Sequence, residues 1–380
     1  MRLVSIARAA TGTPLARDVQ LGRADGIPLL RSGIILTERY RELLINSGVS
    51  AIYVDDELGR GINVEPIVSD EARATATRVV ARAIETIRTS LDCGRSVTPE
   101  ALKDLEDVVQ MILDQVAASS TIALALADLA AADGYTFEHS IDVTALGLLL
   151  GYRYFSDFGW TDFRGERRYD RLTSRLTDLG LGLILHDIGK LAVPQHILNK
   201  PDKLTPQEWE IMKTHPRAGI DMMDATKWSP LIKTVVLRHH ERWNGSGYPD
   251  GRAGEEIHPM ARIAAVADVY DAITSNRKYA PARPAADGVR AIIEGSGTLF
   301  DPEVVISFCK VVTPYPPGTE VTLTDGLTAV VVSIPDGALD RPVVRLVDGP
   351  HAGLELNLHE RPDIEIDSWV NSTAYSAVTV

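Results

Sequence analysis

Residues 183–194, LILHDIGKLAVP, place a histidine and an aspartate at the end of an apolar run. His186 and Asp187 are adjacent, and Lys190 follows within one helical turn. Burying an unpaired carboxylate among leucine and isoleucine costs several kcal/mol, so a folded chain tolerates it only beside a compensating partner. The stretch therefore predicts a buried polar site at the end of a core helix.

Other polar residues downstream and upstream share this setting. Histidine or aspartate interrupts or ends an apolar helical pattern at His139, His215, His239, His240 and Asp268. Any one histidine alone is more often a hydrogen-bonded core or surface residue than a metal ligand. Taken together with His186 and Asp187, the set is better explained by a shared metal centre.

The types of donor restrict the metal. Imidazole and carboxylate without thiolate suit iron or manganese, and also zinc or nickel. Seven donors exceed what one transition ion needs, which favours two divalent ions bridged by a carboxylate and a water-derived hydroxide. Such a pair activates water for an in-line phosphoryl displacement. Lys190 then either contacts a phosphate oxygen as a point charge or is a solvated helix end.

Composition sets further limits. The 380 residues are long enough for two or three domains. The formal net charge of -13 argues against binding to a nucleic acid polymer, which requires a basic face. Two cysteines, Cys93 and Cys309, give no disulfide framework, and we expect a cytoplasmic protein. We expect neither a signal peptide nor a membrane span, since no apolar run approaches the roughly 18 residues that a span requires.

The first part of the chain predicts a small module and a helical linker. Residues 1–65 indicate an α+β module with a helix over Glu38–Asn46 and a strand over Ala51–Val54. Residues 66–132 indicate a linker with helices over 68–90 and 98–131. The second helix carries one apolar stripe, which either packs onto the neighbouring domain or forms a homodimer seam through helices 68–130. The stripe consists of Leu102, Leu105, Val109, Ile112, Leu113 and Val116.

The second part predicts a helical catalytic domain and a β-rich tail, so that the fold class is mainly α. Residues 133–312 are helical, with an aromatic and charged insertion at 155–172 that is either a lid or an exposed hairpin. Residues 313–380 form a β-rich module, with a meander or barrel over 316–366. The helical patterns lie near 138–155, 174–186, 206–225, 229–241, 259–275, 284–294 and 302–311.

The motifs HDIGK, HH and GSGYP, in this order, resemble the HD-GYP family of HD-type metal-dependent phosphohydrolases. The resemblance extends from about residue 133 to residue 312 and includes LFDP at 299–302. It implies an all-helical catalytic domain with a bridged metal pair. It also implies a cyclic di-GMP phosphodiesterase, in which a metal-bridging hydroxide yields pGpG, and it leaves open whether hydrolysis continues to GMP.

The resemblance also implies roles for individual residues. Asp187 is expected to bridge the two ions, and Lys190 to bind the scissile phosphate. Tyr248 and Arg277 are expected near the substrate, with Lys278 as a further basic contact. The implied metal ligands are His139, His186, Asp187, His215, His239, His240 and Asp268.

The sequence departs from the family at three places. Tyr135 occupies the position where some members have a glutamate for a third ion, so we expect two ions. Asn244 replaces the usual aspartate before the GSGYP segment. The usual Arg-Pro-Tyr-Arg run reads Arg277, Lys278, Tyr279, Ala280, which puts substrate affinity in question.

Two alternative functions follow from these departures. The domain could bind cyclic di-GMP as an effector without useful catalysis. It could also remain an enzyme but act on another cyclic dinucleotide or a nucleotide monophosphate. The flanking modules resemble the leader and tail segments of some family members and carry no ligand motif.

Overall fold

The computed structural model describes residues 1–19, 28–47, 49, 51–64, 66–92, 99–118, 135–162, 164–200, 202–223, 228–275 and 283–369. The predicted fold class is confirmed: the chain is mainly helical, with small β-containing modules at its two ends. The helices are α1 (Glu38–Asn46), α2 (Asp70–Asp92), α3 (Pro99–Ala118), α4 (Tyr135–Asp157), α5 (Leu172–Leu185), α6 (Gln195–Leu198), α7 (Pro206–Met212), α8 (His215–Met222), α9 (Pro230–Arg238), α10 (Pro259–Thr274), α11 (Ala285–Glu294) and α12 (Pro302–Cys309). Short 3₁₀ helices span Ile188–Ala192 and Gly254–Glu256.

The N-terminal module has the elements that the sequence predicts. Strand β1 (Arg2–Ser5) pairs antiparallel with β2 (Ala51–Val54), and α1 lies between them in the chain. Thr37 caps α1 by accepting a hydrogen bond from the Tyr40 amide. Leu44 is the buried residue of α1 and joins the apolar core of this module.

The central core is built around α10 and the second half of α5, both of which are buried on nearly every side. Residues Leu179–Leu185 of α5 are all buried, and α4, α3 and α9 pack around that helix. Helix α10 is likewise buried along most of its length and packs on α4, α9, α11 and α12. A helix that is apolar all round must lie inside its domain, so these two helices bring their polar residues into the core.

The apolar stripe of α3 packs within the chain. Leu105, Val109 and Ile112 are fully buried, and they share one core with α2, α4 and α5. Packing onto the neighbouring helices, the first interpretation of the stripe, is what the structure shows. This packing accounts for the stripe, whereas the homodimer through helices 68–130 and the boundary between linker and catalytic domain at residue 132 stay predictions.

The C-terminal module is a five-stranded antiparallel sheet in the order β8-β7-β6-β5-β9. Its first four strands form the predicted meander, and β9 returns to the free edge of β5 instead of closing a barrel. This sheet packs against the N-terminal module, where Arg2 pairs with Glu320 at 2.9 Å. The strands are β5 (Glu320–Leu323), β6 (Thr328–Ser333), β7 (Val343–Leu346), β8 (Glu355–Asn357) and β9 (Ile366–Trp369).

The insertion at 155–172 is an exposed hairpin and not a lid. Strands β3 (Trp160–Thr161) and β4 (Arg167–Arg168) pair antiparallel, and the Arg175 guanidinium lies 3.5 Å from the centre of the Trp160 ring. The hairpin thus lies at the beginning of α5, whereas His186 follows the end of that helix. Fourteen residues of helix, about 20 Å, separate the two.

The pattern at 206–225 is two helices and not one. Helix α7 ends at Met212, and α8 begins at His215 with Pro216 in its first turn. Proline lacks an amide hydrogen and fits only the first turn of a helix, so Pro216 enforces a new start.

The described part of the predicted helix 98–131 ends at Ala118. Within the part of the chain that the structure describes, no helix is long and apolar enough to cross a membrane.

Candidate metal centre

Five separate segments of the helical core bring their polar residues to one point. His139 lies in α4, and His186 and Asp187 join the end of α5 to the following 3₁₀ helix. The others are His215 at the start of α8, His239 and His240 just after α9, and Asp268 in α10. The seven residues that the sequence predicts as ligands therefore lie together, although their role as ligands stays a prediction.

Two groups of donor atoms within this cluster could each hold a metal ion, and Asp187 belongs to both. His139, His186 and Asp187 form one group, with all ligand atoms within 4.8 Å of one another. The other group, under the same limit, consists of Asp187, His215, His239 and His240. A carboxylate with two oxygens can serve two cations at once.

Distances around Asp187 show how tightly the two groups are joined. Its Oδ1 lies 3.3 Å from His215 Nε2, and its Oδ2 lies 3.3 Å from His186 Nε2. His139 Nε2 is 3.7 Å from Asp187 Oδ2. Asp268 gives a second link, because its carboxylate is 3.4 Å from His139 Nε2 and 3.8 Å from His240 Nδ1.

Backbone carbonyls fix the tautomer of three of the imidazoles. The Nδ1 atoms of His186 and His215 lie 2.6 Å from Leu183 O and 2.9 Å from Met212 O. His239 Nδ1 lies 3.0 Å from Val236 O. A carbonyl can only accept, so each Nδ1 carries the proton and each Nε2 lone pair is directed into the cluster.

Buried polar atoms without a partner show that the residues fit a cation. Among the described residues, His186 Nε2 and Asp187 Oδ1 are buried and find no hydrogen-bond partner. Buried polar groups are nearly always satisfied, and exceptions of this kind point to an ion or ligand. The donor set of imidazole nitrogen and carboxylate oxygen suits a divalent transition metal ion.

The pKa values keep most of the cluster in the form that binds metal. Burial lowers the pKa of His239 well below its usual range and that of His240 to about 3, so both rings are neutral. Burial raises the pKa of Asp187, but Lys190 and His186 outweigh it and hold that pKa well below the usual range. Asp268 is similarly kept ionised against burial, chiefly by His139 and His240.

His139 differs from the other histidines because two carboxylates contact it. Burial disfavours its charged form, yet the hydrogen bonds to Asp268 and Asp271 raise the pKa of His139 to about 9. Its Nδ1 lies 2.6 Å from Asp271 Oδ2, so Nε2 faces the cluster. A carboxylate behind a metal-binding histidine orients the ring and makes it a stronger ligand.

Lys190 and Tyr248 lie beside the donors, where the sequence predicts substrate contacts. Lys190 Nζ is 2.5 Å from Asp187 Oδ2, and its side chain is 27% exposed. The Tyr248 ring lies 4.7 Å from the His240 ring, centre to centre. Burial raises the pKa of Tyr248, with Asp268 adding to the effect, so the phenol remains a neutral hydrogen-bond donor.

Two glycines allow the close backbone approaches on which the cluster depends. A Cβ at Gly189 would lie 1.9 Å from the carbonyl oxygen of His215, so only glycine lets the 3₁₀ helix contact α8 there. A Cβ at Gly247 would lie 2.5 Å from the carbonyl oxygen of His240. Gly247 thus brings Tyr248 over the end of α9.

Sequence reasoning missed two buried carboxylates that support the site. Asp271 orients His139, and Glu241 accepts from the amides of Asp250 at 2.9 Å and Arg252 at 3.0 Å, which holds the loop after Tyr248. Both adjoin predicted ligands in sequence, since Glu241 follows His240 and Asp271 is one turn beyond Asp268. A second acidic residue in the otherwise apolar α10 was the available signal for Asp271.

The departures from the family pattern have different outcomes. Asn244 Oδ1 accepts from the Ser246 amide at 3.0 Å, so the turn before the GSGYP segment keeps its side-chain acceptor. Arg277 and Lys278, the predicted basic contacts, lie outside the described residues. The side chain of Tyr135 also lies outside them, although α4 begins at this residue.

The fold and the cluster together define the class of protein: a helical domain whose core carries a histidine and aspartate centre suited to divalent metal ions. Residues 167–304 match the family model described as HD domain. This stretch is therefore similar to HD domains, and the predicted resemblance to the HD-GYP family is confirmed.

Named phosphodiesterases of other organisms match parts of this chain. The chain is 39% identical to the cyclic di-GMP phosphodiesterase PA4108 of Pseudomonas aeruginosa, over 63% of this chain and 54% of that protein. It is 40% identical to a cyclic di-GMP phosphodiesterase of Thermotoga maritima, over 42% of this chain and 44% of that protein. The 3'3'-cGAMP-specific phosphodiesterase 2 of Vibrio cholerae is 38% identical over 32% of this chain and 24% of that protein. The matched region thus spans about half or less of each relative's length.

Proposed function

We propose that this protein is a metal-dependent phosphodiesterase that hydrolyses cyclic di-GMP to pGpG. The observation that carries the proposal is that Asp187 belongs to two adjoining groups of metal donors, with Lys190 2.5 Å from the same carboxylate. Phosphodiester hydrolysis is the chemistry that such a paired centre beside a lysine serves. The named relatives support cyclic di-GMP as the substrate.

In this proposal the donor residues form two sets, one for each metal ion. His139 and His186 would hold one ion and His215, His239 and His240 the other, with Asp187 shared and Asp268 close to both groups. When bound, the cations supply an acidified water as nucleophile and neutralise charge on the phosphoryl oxygens. Iron or manganese fits these donors best, and zinc or nickel is compatible with them.

Lys190 and Tyr248 bind and orient the substrate in this proposal. The Lys190 ammonium is partly exposed beside Asp187, so it can donate to a phosphate oxygen and offset the charge that develops there. The neutral Tyr248 hydroxyl can donate a further hydrogen bond. Removing one such donor in a water-poor site typically costs about 100- to 1,000-fold in kcat.

A second candidate is a phosphodiesterase for another cyclic dinucleotide. The observation that favours it is the similarity to a relative named as specific for 3'3'-cGAMP. The effector hypothesis differs from both, because it requires tight binding of cyclic di-GMP with negligible turnover. The altered run at 277–280 motivates this hypothesis.

The test is hydrolysis by protein purified without oxygen and loaded with iron or manganese. We expect turnover of cyclic di-GMP, slower turnover of 3'3'-cGAMP, and a loss of about 100-fold in kcat for Lys190→Met at unchanged metal content. Lys213→Met is the matched control, because Lys213 pairs with Glu210 on the surface. Absence of turnover of any cyclic dinucleotide by loaded wild-type protein would refute an enzymatic function, and tight binding in that case would favour the effector.

A further inference from the structure

An aromatic row leads from the donor cluster to the surface. The Tyr248 ring packs on His240 with 33° between the planes, and Trp209 lies 6.3 Å beyond Tyr248 at 81°. Trp209 lies in α7 and is 46% exposed. A large indole left half in water beside a ligand-binding centre has a face available for another planar group.

Polar contacts fix α7 without using the Trp209 ring. Thr205 and Glu208 form a reciprocal capping box at its start, and Lys200 Nζ lies 2.5 Å from Glu208 Oε2. No residue of α7 is fully buried, so the helix is not held by a packed core face. The contacts at the start of α7 therefore hold the helix without the exposed part of the Trp209 ring.

The charged groups around this surface are already paired. Lys200 pairs with Glu208, and Asp250 lies 2.6 Å from Arg217 and 3.0 Å from Arg238. What remains unmatched is the apolar face of an aromatic ring. A planar ligand group could stack on this ring face. Such stacking would not discriminate between ligands by the hydrogen-bonding groups at their edges.

We propose that Trp209 and Tyr248 form a nucleobase subsite, on which one base of a cyclic dinucleotide stacks while its neighbouring phosphate lies at His240 and Lys190. This inference rests on the proposed function and adds a residue that binds substrate outside the metal centre. The base and phosphate of a nucleotide lie at opposite ends of one ribose, and Tyr248 lies between Trp209 on one side and His240 on the other in the same way. Because every base has a stacking face, the subsite sets affinity for dinucleotides without selecting guanine over adenine.

The kinetic test compares Trp209→Ala, Trp209→Phe and a control on the same helix. Stacking is worth about 1–3 kcal/mol per base, so we expect Trp209→Ala to raise KM about 10- to 100-fold at nearly unchanged kcat. Trp209→Phe should keep most of the affinity. Ile211→Ala is the matched control, because Ile211 is 41% exposed and, two residues on, lies on the opposite side of α7.

A substrate without a base separates stacking from structural damage. Methyl p-nitrophenyl phosphate presents one phosphodiester and no nucleobase, so wild type and Trp209→Ala should hydrolyse it equally. An equal loss with both substrates would overturn the subsite and indicate a structural role. An unchanged KM for cyclic di-GMP would also overturn it while leaving the proposed function intact.

Tryptophan fluorescence gives a readout that does not require turnover. Cyclic di-GMP should quench the wild-type emission on titration, and this component should be absent in Trp209→Phe. Quenching without hydrolysis would contradict the proposed enzymatic function but would still support the nucleobase subsite. A change of oligomeric state in Trp209→Ala, with unaltered nucleotide binding, would instead assign the surface to a protein interface and overturn the proposal.

Discussion

His215 and His239 place their Nε2 atoms 3.3 Å apart, although each ring directs its Nδ1 at a backbone carbonyl. With both protons on Nδ1, the two Nε2 atoms are acceptors that face each other and cannot form a hydrogen bond. The low pKa of His239, caused first by burial, also opposes protonation as a remedy. A cation that both rings bind removes this conflict, so the folded chain is arranged for a metal-bound state.

Because of this conflict, we expect the order of stability of wild type and His215→Gln to depend on whether metal is bound. We expect His215→Gln to be less stable than wild type when metal is bound, because a ligand is lost. After chelation the order should reverse by about 1 kcal/mol, since the glutamine amide can donate to His239 Nε2. Thermal unfolding of both proteins with manganese and with a chelator measures the effect. If the variant is the less stable protein in both conditions, the two lone pairs do not repel in the metal-free chain.

Sharing of Asp187 predicts how metal content responds to substitution. Wild-type protein should bind two ions per chain by elemental analysis, His240→Gln about one, and Asp187→Asn close to none, because both donor groups lose a member. Circular dichroism at equal concentration controls for unfolding. A single ion in wild type, or two in Asp187→Asn, would contradict the shared centre.

Asp271 should act on the metal through His139. Replacement by asparagine removes the charge behind the ring and permits the other tautomer, so we expect metal affinity to fall about 10- to 100-fold. Ser275 Oγ donates to the other Asp271 oxygen at 2.8 Å, which makes Ser275→Ala the control that leaves His139 oriented. Competition titration with a coloured chelator gives both affinities. Equal affinities for Asp271→Asn and wild type would show that Asp271 only fills space.

Gly189 should be irreplaceable for folding and for the centre. An alanine Cβ would overlap the His215 carbonyl, so the 3₁₀ helix and α8 must separate, at a cost on the order of 1–3 kcal/mol. We expect Gly189→Ala to unfold at lower urea and to lose bound metal. Gly337→Ala is the comparison, because a Cβ there meets nothing within 4 Å and only the positive φ is strained. Retention of two ions by Gly189→Ala would show that the contact is not needed.

Much of this architecture could be predicted because it depends on patterns of residues that are close together in the sequence. Helix α1 and strand β2 have the predicted ends, and the cluster was found because charged residues are conspicuous in apolar helices. The contacts of Gly189 with His215 and of Gly247 with His240 join distant segments, and no local pattern records them. Trp209 likewise gives no signal in sequence, since only the fold reveals that its ring is exposed beside Tyr248.

His258 should make stability fall in mild acid. It begins α10, where its Nδ1 accepts from the Met260 amide at 3.2 Å. Burial, and then the nearby Arg175 and Arg262, lower the pKa of His258 from 6.5 to about 4. The folded state thus favours the neutral ring. Its contribution to stability is full above pH 6.5 and is lost as the pH falls from 6.5 to about 4.

We expect His258→Asn to keep the helix cap without this titration and to reduce the loss of stability between pH 7 and pH 4.5 by on the order of 1–2 kcal/mol. Urea unfolding of chelator-treated wild type and variant across this range measures the difference, because without metal the cluster histidines contribute equally to both proteins. Parallel pH profiles of the two proteins would show that His258 does not titrate in this window.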